Sequence, residues 1–354
     1  MNQPQGSSTP SGRRIVLLGP QRLAPKVGFV ARRLGIEGRA ALVTAGWQER
    51  ELETDDLVAA LGLPHINLEL YRRWDDVAHA DPWLFAAHRA RQDQLRALEE
   101  LYDLRLGHTL SAARDLLAAS APPQMLVTEQ RAATEAVRAL DRHHLQQVAE
   151  IHDRFNRDVQ PEQRPALIAH RREIADIVDG CSLFAFAGGH VGVLLNRLKL
   201  FDIQSMIGER HLLAWSAGAM ACCEQIALFH DSPPQGAGNT EIYEHGLGLV
   251  RGVVALPHAR RRLRTGDLNR MQLMARRLWP ARALLLDERS WAAFDVDSTV
   301  VDGEGVRHLA QDGTLKPLTI DSRVHADAAL QADIPHLSDI ALEAAEAFSS
   351  ETHP

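Results

Sequence analysis

The sequence predicts an α/β protein with a doubly wound, mostly parallel sheet and an inserted helical hairpin. Short apolar runs alternate with segments of helical periodicity over residues 14–70, and again from residue 182. Between these two regions, residues 82–179 show long helical stripes and almost no strand pattern. Strand–helix–strand units place consecutive strands parallel, with helices on both sheet faces, so the alternation predicts the sheet and its interruption predicts an insertion.

The first half of the sheet is predicted from three apolar runs with two helical segments between them. The strands are residues 14–19, 40–45 and 66–70, and the helices are residues 26–34 and 57–61. Gly35 and Gly62 directly follow the two helical segments, where glycine commonly ends a helix. These elements therefore form two consecutive strand–helix–strand units.

The insertion is predicted to be a hairpin of two helices, separated by Pro122-Pro123. One arm has an apolar stripe at Leu84, Leu95, Leu98 and Leu101. The other has a stripe with steps of three or four residues, at Val137, Leu140, His144, Val148, Ile151 and Phe155. An apolar seam of this kind must pack against another surface. Three roles of the hairpin stay open, namely a lid, a homodimer contact and a stabilising appendage. His144 is either a ligand or a buried residue with a local partner.

After the insertion the sequence returns to strands. They are predicted at residues 182–186, 211–215, 248–256, 283–286, 291–294, 296–301 and 306–309. Residues 283–286 and 291–294 flank Asp287-Glu288-Arg289 as the arms of a hairpin would. The predicted domains are a disordered tail (1–13), a discontinuous α/β domain (14–75 and 180–325), the helical insertion (76–179), and a C-terminal helix and tail (326–354).

Composition restricts the function classes. The 354 residues carry 39 basic and 46 acidic side chains, a net charge of −7, with 45% hydrophobic and 24% charged residues. These values exclude a disordered or fibrous chain, and the acidic balance argues against nucleic-acid binding. The sequence shows no apolar run of about 18 residues, no signal peptide and no zinc spacing among its three cysteines. We therefore expect a cytoplasmic protein with no membrane span, metal or cofactor.

The stretch Leu212-Leu213-Ala214-Trp215-Ser216-Ala217-Gly218 carries the strongest chemical signal. An apolar strand runs into a serine, and small residues then begin a helix. This pattern is typical of a nucleophile elbow, although Ala214 replaces the first glycine of the usual motif. The alternative is a serine that caps a buried helix.

A nucleophilic serine needs a base and an orienting carboxylate. His258 follows the predicted strand 248–256, which would place it at the same sheet edge as Ser216. Asp231 lies between them in the chain and is the expected acid, with Glu241 and Glu244 as rivals. The order serine, acid, histidine predicts a hydrolase, whereas a surface histidine is the alternative for His258.

Two further features favour substrate binding at this edge. Gly188 and Gly189 end the strand before the elbow, and their N–H groups, with that of Ala217, could form an oxyanion hole. Four arginines that follow His258 could hold a substrate carboxylate, although a solvated helix face accounts for some of them. They are Arg260, Arg261, Arg262 and Arg264.

These motifs resemble the peptidase S51 family, which contains dipeptidase E and cyanophycinase and has a class I glutamine amidotransferase-like fold. The resemblance spans residues 182–305, with a weaker match at residues 14–70. It implies a serine peptidase with Ser216 as nucleophile and His258 as base. Asp231 is the acid on the dipeptidase E pattern, and Glu241 or Glu244 on the cyanophycinase pattern.

The resemblance also implies the substrate class, namely small peptides cleaved next to aspartate through α-linked Asp-X or β-linked bonds. Two features depart from the family. His190-Val191 stands where the family commonly has a polar pair that holds substrate, and the helical insertion is foreign to both named members. A non-catalytic binding or scaffold protein on the same fold, and an α/β-hydrolase esterase, are therefore the alternative hypotheses.

Overall fold

A computed structural model of the chain describes residues 12–231 and 238–320. The strands are β1 (Ile15–Leu18), β2 (Ala40–Val43), β3 (His65–Asn67), β4 (Leu183–Phe186), β5 (His211–Trp215), β6 (Gln225–Leu228), β7 (Glu241–His245), β8 (Val253–Pro257), β9 (Arg282–Leu286), β10 (Trp291–Phe294), β11 (Val300–Glu304), β12 (Arg307–Leu309) and β13 (Leu315–Pro317). The helices are α1 (Val27–Arg33), α2 (Asp55–Leu61), α3 (Leu70–Ala80), α4 (Pro82–Ala118), α5 (Pro123–Val159), α6 (Pro165–Asp179), α7 (Val191–Leu200), α8 (Ile203–Ile207), α9 (Ala217–Cys222), α10 (Ala259–Arg262) and α11 (Leu268–Leu278). The predicted C-terminal helix and tail, and nearly all of the N-terminal tail, lie outside the described residues.

The central sheet has seven strands in the order β11-β10-β1-β5-β4-β2-β3. Strands β1 to β5 pair parallel with one another, whereas β10 pairs antiparallel with β1 and β11 pairs antiparallel with β10. The expected α/β class and the mostly parallel sheet are therefore confirmed. The domain boundaries expected from the sequence stay a prediction.

Both faces of this sheet are buried, which explains why its strands are continuous apolar runs. Side chains alternate between two cores, so that Leu17 and Phe184 face one and Leu18 and Leu183 face the other. Helices α1 and α2 cover the second face, and most of the remaining helices cover the first. In a doubly wound fold helices cover both faces of the sheet. Successive side chains of a strand alternate between the two faces, and both sets are therefore apolar.

The insertion forms the expected hairpin, in which α4 packs along α5. The α5 stripe is confirmed at Val137, Leu140, His144, Val148 and Phe155, which are buried, whereas Ile151 is half-buried. His144 stacks on Tyr102 with ring centroids 4.1 Å apart, and its Nε2 lies 3.2 Å from the Tyr243 carbonyl oxygen. The seam therefore packs within the chain, and His144 is a buried residue with local partners. A homodimer contact stays a prediction.

The α4 stripe is confirmed at Leu84 and wrong at Leu101, while Leu95 and Leu98 are half-buried. Leu84 is buried, but Leu101 is 63% exposed. The buried face continues instead through His88, Arg91, Tyr102, Leu106 and Leu110. The prediction counted only leucines, whereas this helix buries polar and aromatic side chains that find partners in the fold.

A second, four-stranded sheet has the order β13-β12-β9-β8. This arrangement overturns the predicted hairpin of residues 283–286 and 291–294, because β9 pairs with β8 and β12 whereas β10 pairs with β1 and β11. The chain crosses from one sheet to the other at the intervening turn, where Gly19 N donates to Ser290 O. The strand predicted at residues 248–256 begins only at Val253.

No helix in residues 12–231 and 238–320 is both long and apolar enough to cross a bilayer. The same ranges hold no group of three or more His, Cys, Asp or Glu side chains suited to a metal ion. Cys181, Cys222 and Cys223 are free thiols, and all three are buried.

A buried ion pair connects the hairpin to the second sheet. Arg277 of α11 donates to both carboxylate oxygens of Asp141 in α5, at 2.6 and 2.7 Å, and to Thr240 O at 2.6 Å. The Tyr102 hydroxyl donates to Asp141 Oδ1 at 2.8 Å and accepts from Ile242 N at 3.1 Å. Every charge in this network has a partner, as buried charges require.

The substitution Asp141→Leu is expected to lower the free energy of unfolding by about 3–5 kcal/mol, because it leaves the Arg277 guanidinium buried and unpaired. Urea denaturation followed by circular dichroism measures the change. The double variant with Arg277→Met removes both charges and should recover much of the loss. Arg142→Met is the matched control, since Arg142 pairs with Glu135 on the surface of the same helix. A control loss as large as that of Asp141→Leu would contradict the special role of the buried pair.

Candidate active site

Ser216 occupies a sharp turn between β5 and α9. Its backbone has φ 51° and ψ −118°, a region that residues with a side chain rarely adopt. A Cβ atom at Gly218 would lie 2.3 Å from the Phe186 carbonyl oxygen, so only glycine lets α9 approach β4 this closely. Strained backbone that the surrounding structure enforces is typical of functional sites. The predicted elbow pattern therefore forms an elbow at the end of the central strand β5.

His258 faces this turn, and its Nε2 lies 3.4 Å from Ser216 Oγ. His258 has a left-handed backbone, with φ 60° and ψ 29°, directly after β8. The prediction that β8 shares a sheet edge with Ser216 is wrong, because β8 belongs to the second sheet. The end of β8 nevertheless reaches the elbow across the junction of the two sheets.

The environment of His258 keeps the imidazole neutral. Burial and the positive charge of Arg262 lower the pKa of His258, while the charges of Glu288 and Asp287 act in the opposite direction. A neutral imidazole can accept a proton at pH 7, which a general base must do. The distance to Ser216 Oγ is long for a hydrogen bond, as is common in sites without substrate.

The glycine pair after β4 lies against the elbow. A Cβ atom at Gly188 would lie 2.9 Å from Ser216 Cβ, and Gly189 has φ 117°, which favours glycine. Within the described residues, the N–H groups of Gly189 and Ala217 donate to no acceptor. Two such donors beside a serine can stabilise an oxyanion.

Ser216 and His258 line a cleft of about 1040 Å³. Trp47 and Leu57 contribute apolar walls, and Arg50 is paired with Glu53 at 2.5 Å. Arg262 also lines the cleft, and burial lowers the pKa of its guanidinium. No carboxylate of the described residues lies within ion-pair distance of Arg262 or of Arg22, which also lines the cleft. Arg22 is exposed, so the half-buried Arg262 is the better placed to receive a substrate carboxylate.

The other predicted substrate-binding side chains have partners of their own. The exposed Arg260 lies 3.5 Å from the buried Asp287, and Arg261 lies 3.2 Å from Glu288 in an exposed pair. Arg264 N donates to Asp231. His190 caps α7, because its Nδ1 accepts from Val193 N at 3.2 Å, and its exposed ring is not part of the cleft wall.

Asp231 is buried close to this region but faces another group. Its Oδ1 accepts from Arg270 Nη2 at 2.5 Å and its Oδ2 accepts from Arg264 N at 2.7 Å. The Asp231 N–H donates to Arg262 O at 2.7 Å. No hydrogen bond among the described residues joins Asp231 to His258. In this arrangement Asp231 holds the turn that follows His258.

The two rival glutamates lie elsewhere. Burial, together with Asp103 and Glu99, raises the pKa of Glu241 to about 7. Glu244 is buried, which alone would raise its pKa, but His152 and Lys199 lower it to about 2. Neither glutamate lines the cleft that contains Ser216.

Glu288 was not considered for the site in the sequence prediction. It follows β9, and the register of β8 and β9 pairs Pro257 with Leu286, so the residues after the two strand ends lie side by side. His258 N donates to Leu286 O at 3.0 Å. If β8 and β9 were predicted as parallel neighbours, the sequence would place the end of β9 close to His258. Residues 283–286 and 291–294 instead predict a hairpin.

No protein-family model matches the chain, and no curated protein matches it. Among solved structures, the chain is similar to a peptidase from an acI-B1 Actinobacterium, at 11% identity and a TM-score of 0.41, over 88% of this chain and 96% of that one. It is also similar to a candidate peptidase E protein from Listeria monocytogenes EGD-e, at 11% identity and a TM-score of 0.40, over 85% and 100% of the two chains. A function must therefore be inferred from the geometry of the chain's own residues.

Gly218→Ala is expected to lower the free energy of unfolding by about 1–3 kcal/mol, because the new methyl group meets the backbone of Phe186 and forces the elbow apart. Gly107→Ala is the matched control, since nothing lies within 4 Å of a Cβ at Gly107 in α4. That control should gain up to about 1 kcal/mol from helix propensity. Thermal and urea unfolding measure both changes, and equal stability of the two variants would contradict the close packing of the elbow.

Proposed function

We propose that the chain is a serine hydrolase that cleaves small acidic peptides, with Ser216 as nucleophile and His258 as general base. The observation that carries the proposal is the pair Ser216 Oγ and His258 Nε2, 3.4 Å apart, on two strained backbones at one cleft. A serine that merely caps a helix needs neither the strained turn nor the histidine.

In the proposed reaction, Ser216 Oγ attacks the substrate carbonyl carbon while His258 Nε2 takes the hydroxyl proton. The N–H groups of Gly189 and Ala217 donate to the oxygen that becomes negative. His258 then returns the proton to the leaving amine as the C–N bond breaks. Water, deprotonated by the same imidazole, releases the acyl group from Ser216.

The imidazolium that forms needs a negative charge nearby. We propose Glu288 for this role, since its charge acts on His258 more strongly than that of Asp287. The structure gives Asp231 a different set of partners, and its candidacy rests on chain order alone. Exchange of each carboxylate for its amide distinguishes the two.

The substrate class follows from Arg262 and from the resemblance to S51 peptidases. The half-buried guanidinium of Arg262 can bind a carboxylate with two parallel hydrogen bonds, near the nucleophile. A peptide with an aspartyl side chain, in Asp-X or β-Asp-X linkage, carries such a group.

A fluorophosphonate probe should label the folded protein, and Ser216→Ala should abolish labelling, because only an activated serine reacts with the probe. Ser205→Ala is the matched control, since the exposed Ser205 hydroxyl bonds only to Asp202. Mass spectrometry of the labelled protein and a screen of Asp-X and β-Asp-X dipeptides measure the outcome. Absence of labelling would favour the binding or scaffold alternative, and turnover of nitrophenyl esters without peptide cleavage would favour an esterase.

The pH profile of kcat/KM should have an acid limb below the ordinary histidine pKa of about 6.5, because burial and Arg262 favour the neutral base. Arg262→Met removes a positive charge, so it raises the pKa of His258 and moves the limb to higher pH. Glu288→Gln removes a negative charge and moves it to lower pH. A shift with Asp231→Asn and none with Glu288→Gln would return the acid role to Asp231.

A further inference from the structure

A second pocket, of about 440 Å³, lies outside the cleft, where the hairpin meets α7 and β7. We call it the hairpin pocket, and its wall includes Arg91, Phe155, Lys199, Glu244 and His152. Val148 and Leu200 add apolar surface. None of the residues that line it belongs to the wall of the cleft.

Arg91 is a buried cation that no carboxylate of the described residues pairs with. Its side chain is 9% exposed, and its guanidinium carbon lies 4.1 Å from the centre of the Phe155 ring. Within the described part of the chain it makes no ion pair or hydrogen bond, and its Nε is fully buried. Burial lowers the pKa of Arg91 to about 10, although the charges of Glu244 and Tyr243 oppose the change, so the group stays charged at pH 7. Buried charges are ordinarily paired, because desolvation is costly.

The buried carboxylate of the pocket wall is already engaged. Glu244 accepts from Lys199 Nζ at 2.6 Å, and His152 Nε2 lies 2.9 Å from the same carboxylate. The other acidic residues of the wall are exposed to solvent; they are Asp153, Glu162 and Asp202. Glu244 therefore attracts Arg91 electrostatically without a hydrogen bond to it. No acceptor among the described residues bonds to the N–H groups of the Arg91 guanidinium.

Further positive charge surrounds Arg91. Arg197 is 8% exposed, donates to Asn196 Oδ1 at 2.5 Å and lies over the Trp74 ring. It forms no ion pair with a carboxylate of the described residues. Arg171 lines the pocket and donates two N–H groups to Leu200 O. Among the wall side chains that are not exposed, the two guanidinium groups of Arg91 and Arg171 face one carboxylate, Glu244, and the apolar walls lie beside them.

We propose that the hairpin pocket binds a small molecule through a carboxylate or phosphate group that pairs with the Arg91 guanidinium. The planar guanidinium offers parallel N–H donors, and carboxylate and phosphate oxygens match that geometry. The apolar walls strengthen such a pair by excluding water. The site is separate from the proposed hydrolase reaction and does not depend on it.

Calorimetry and thermal unfolding of the full chain at pH 7.5 test the proposal, with sodium acetate in one arm, inorganic phosphate in another, and sodium chloride at matched ionic strength. We expect acetate or phosphate to raise Tm above the chloride value, and the responding arm identifies the group. Arg91→Met should weaken that binding about tenfold or more, the loss of a charge-assisted hydrogen bond. Failure of both anions to exceed chloride overturns the proposal.

Two further variants distinguish anion binding at Arg91 from anion binding in the cleft and from a folding defect. Arg262→Met removes an unpaired cation of the cleft. Retention of the anion response in Arg262→Met, with its loss in Arg91→Met, supports the proposal; the reverse pattern places the anion in the cleft and overturns it. Arg91→Lys retains the charge and the contact with Phe155 but lacks the planar fork. If Arg91→Met fails to fold, weakened anion binding by Arg91→Lys supports the proposal, and unchanged binding overturns it.

Discussion

The candidate site depends on a steric constraint, the close approach of several strand ends to one another without intervening side chains. Gly188 lies against Ser216, Gly218 against Phe186, and a Cβ atom at Gly19 would overlap the Asp287 carbonyl oxygen. These contacts bring together the ends of β1, β4, β5 and β9, and β8 joins them through its pairing with β9. A methyl group at any of the three glycines would push two backbones apart. The placement of Ser216 next to His258 thus depends on the absence of side chains at these three glycines rather than on attractive contacts.

The junction of two sheets has a chemical advantage. Ser216 and His258 come from different sheets, so their separation is determined by how the sheets pack rather than by the length of one loop. Both residues also have positive φ angles, which the packed strands on either side enforce. A nucleophile and a base that are held rigidly in this way need little reorganisation before reaction.

The sequence was sufficient for the local parts of this arrangement. Periodicity located the parallel strands and the α5 seam, because each depends on which residues face a core. The elbow was visible because the small residues after Ser216 lie consecutively in the chain. The pairing of β9 with β8, which brings the charge of Glu288 within reach of His258, was not visible, because strand pairing is a long-range contact that local pattern does not encode. For the same reason the sequence could not show which groups Asp231 contacts. Its partners Arg264 and Arg270 come from a different segment.

The ion pair between Asp141 and Arg277 bears on how the hairpin could have been acquired. An inserted segment is often treated as a cassette that can be added or removed without consequence for the host domain. Here the host contributes a buried arginine whose counter-charge comes from the insertion. A different helical hairpin in the same place, without a carboxylate at the position of Asp141, would cover that cation and leave it unpaired. Exchange of the insertion therefore requires a compensating change at Arg277.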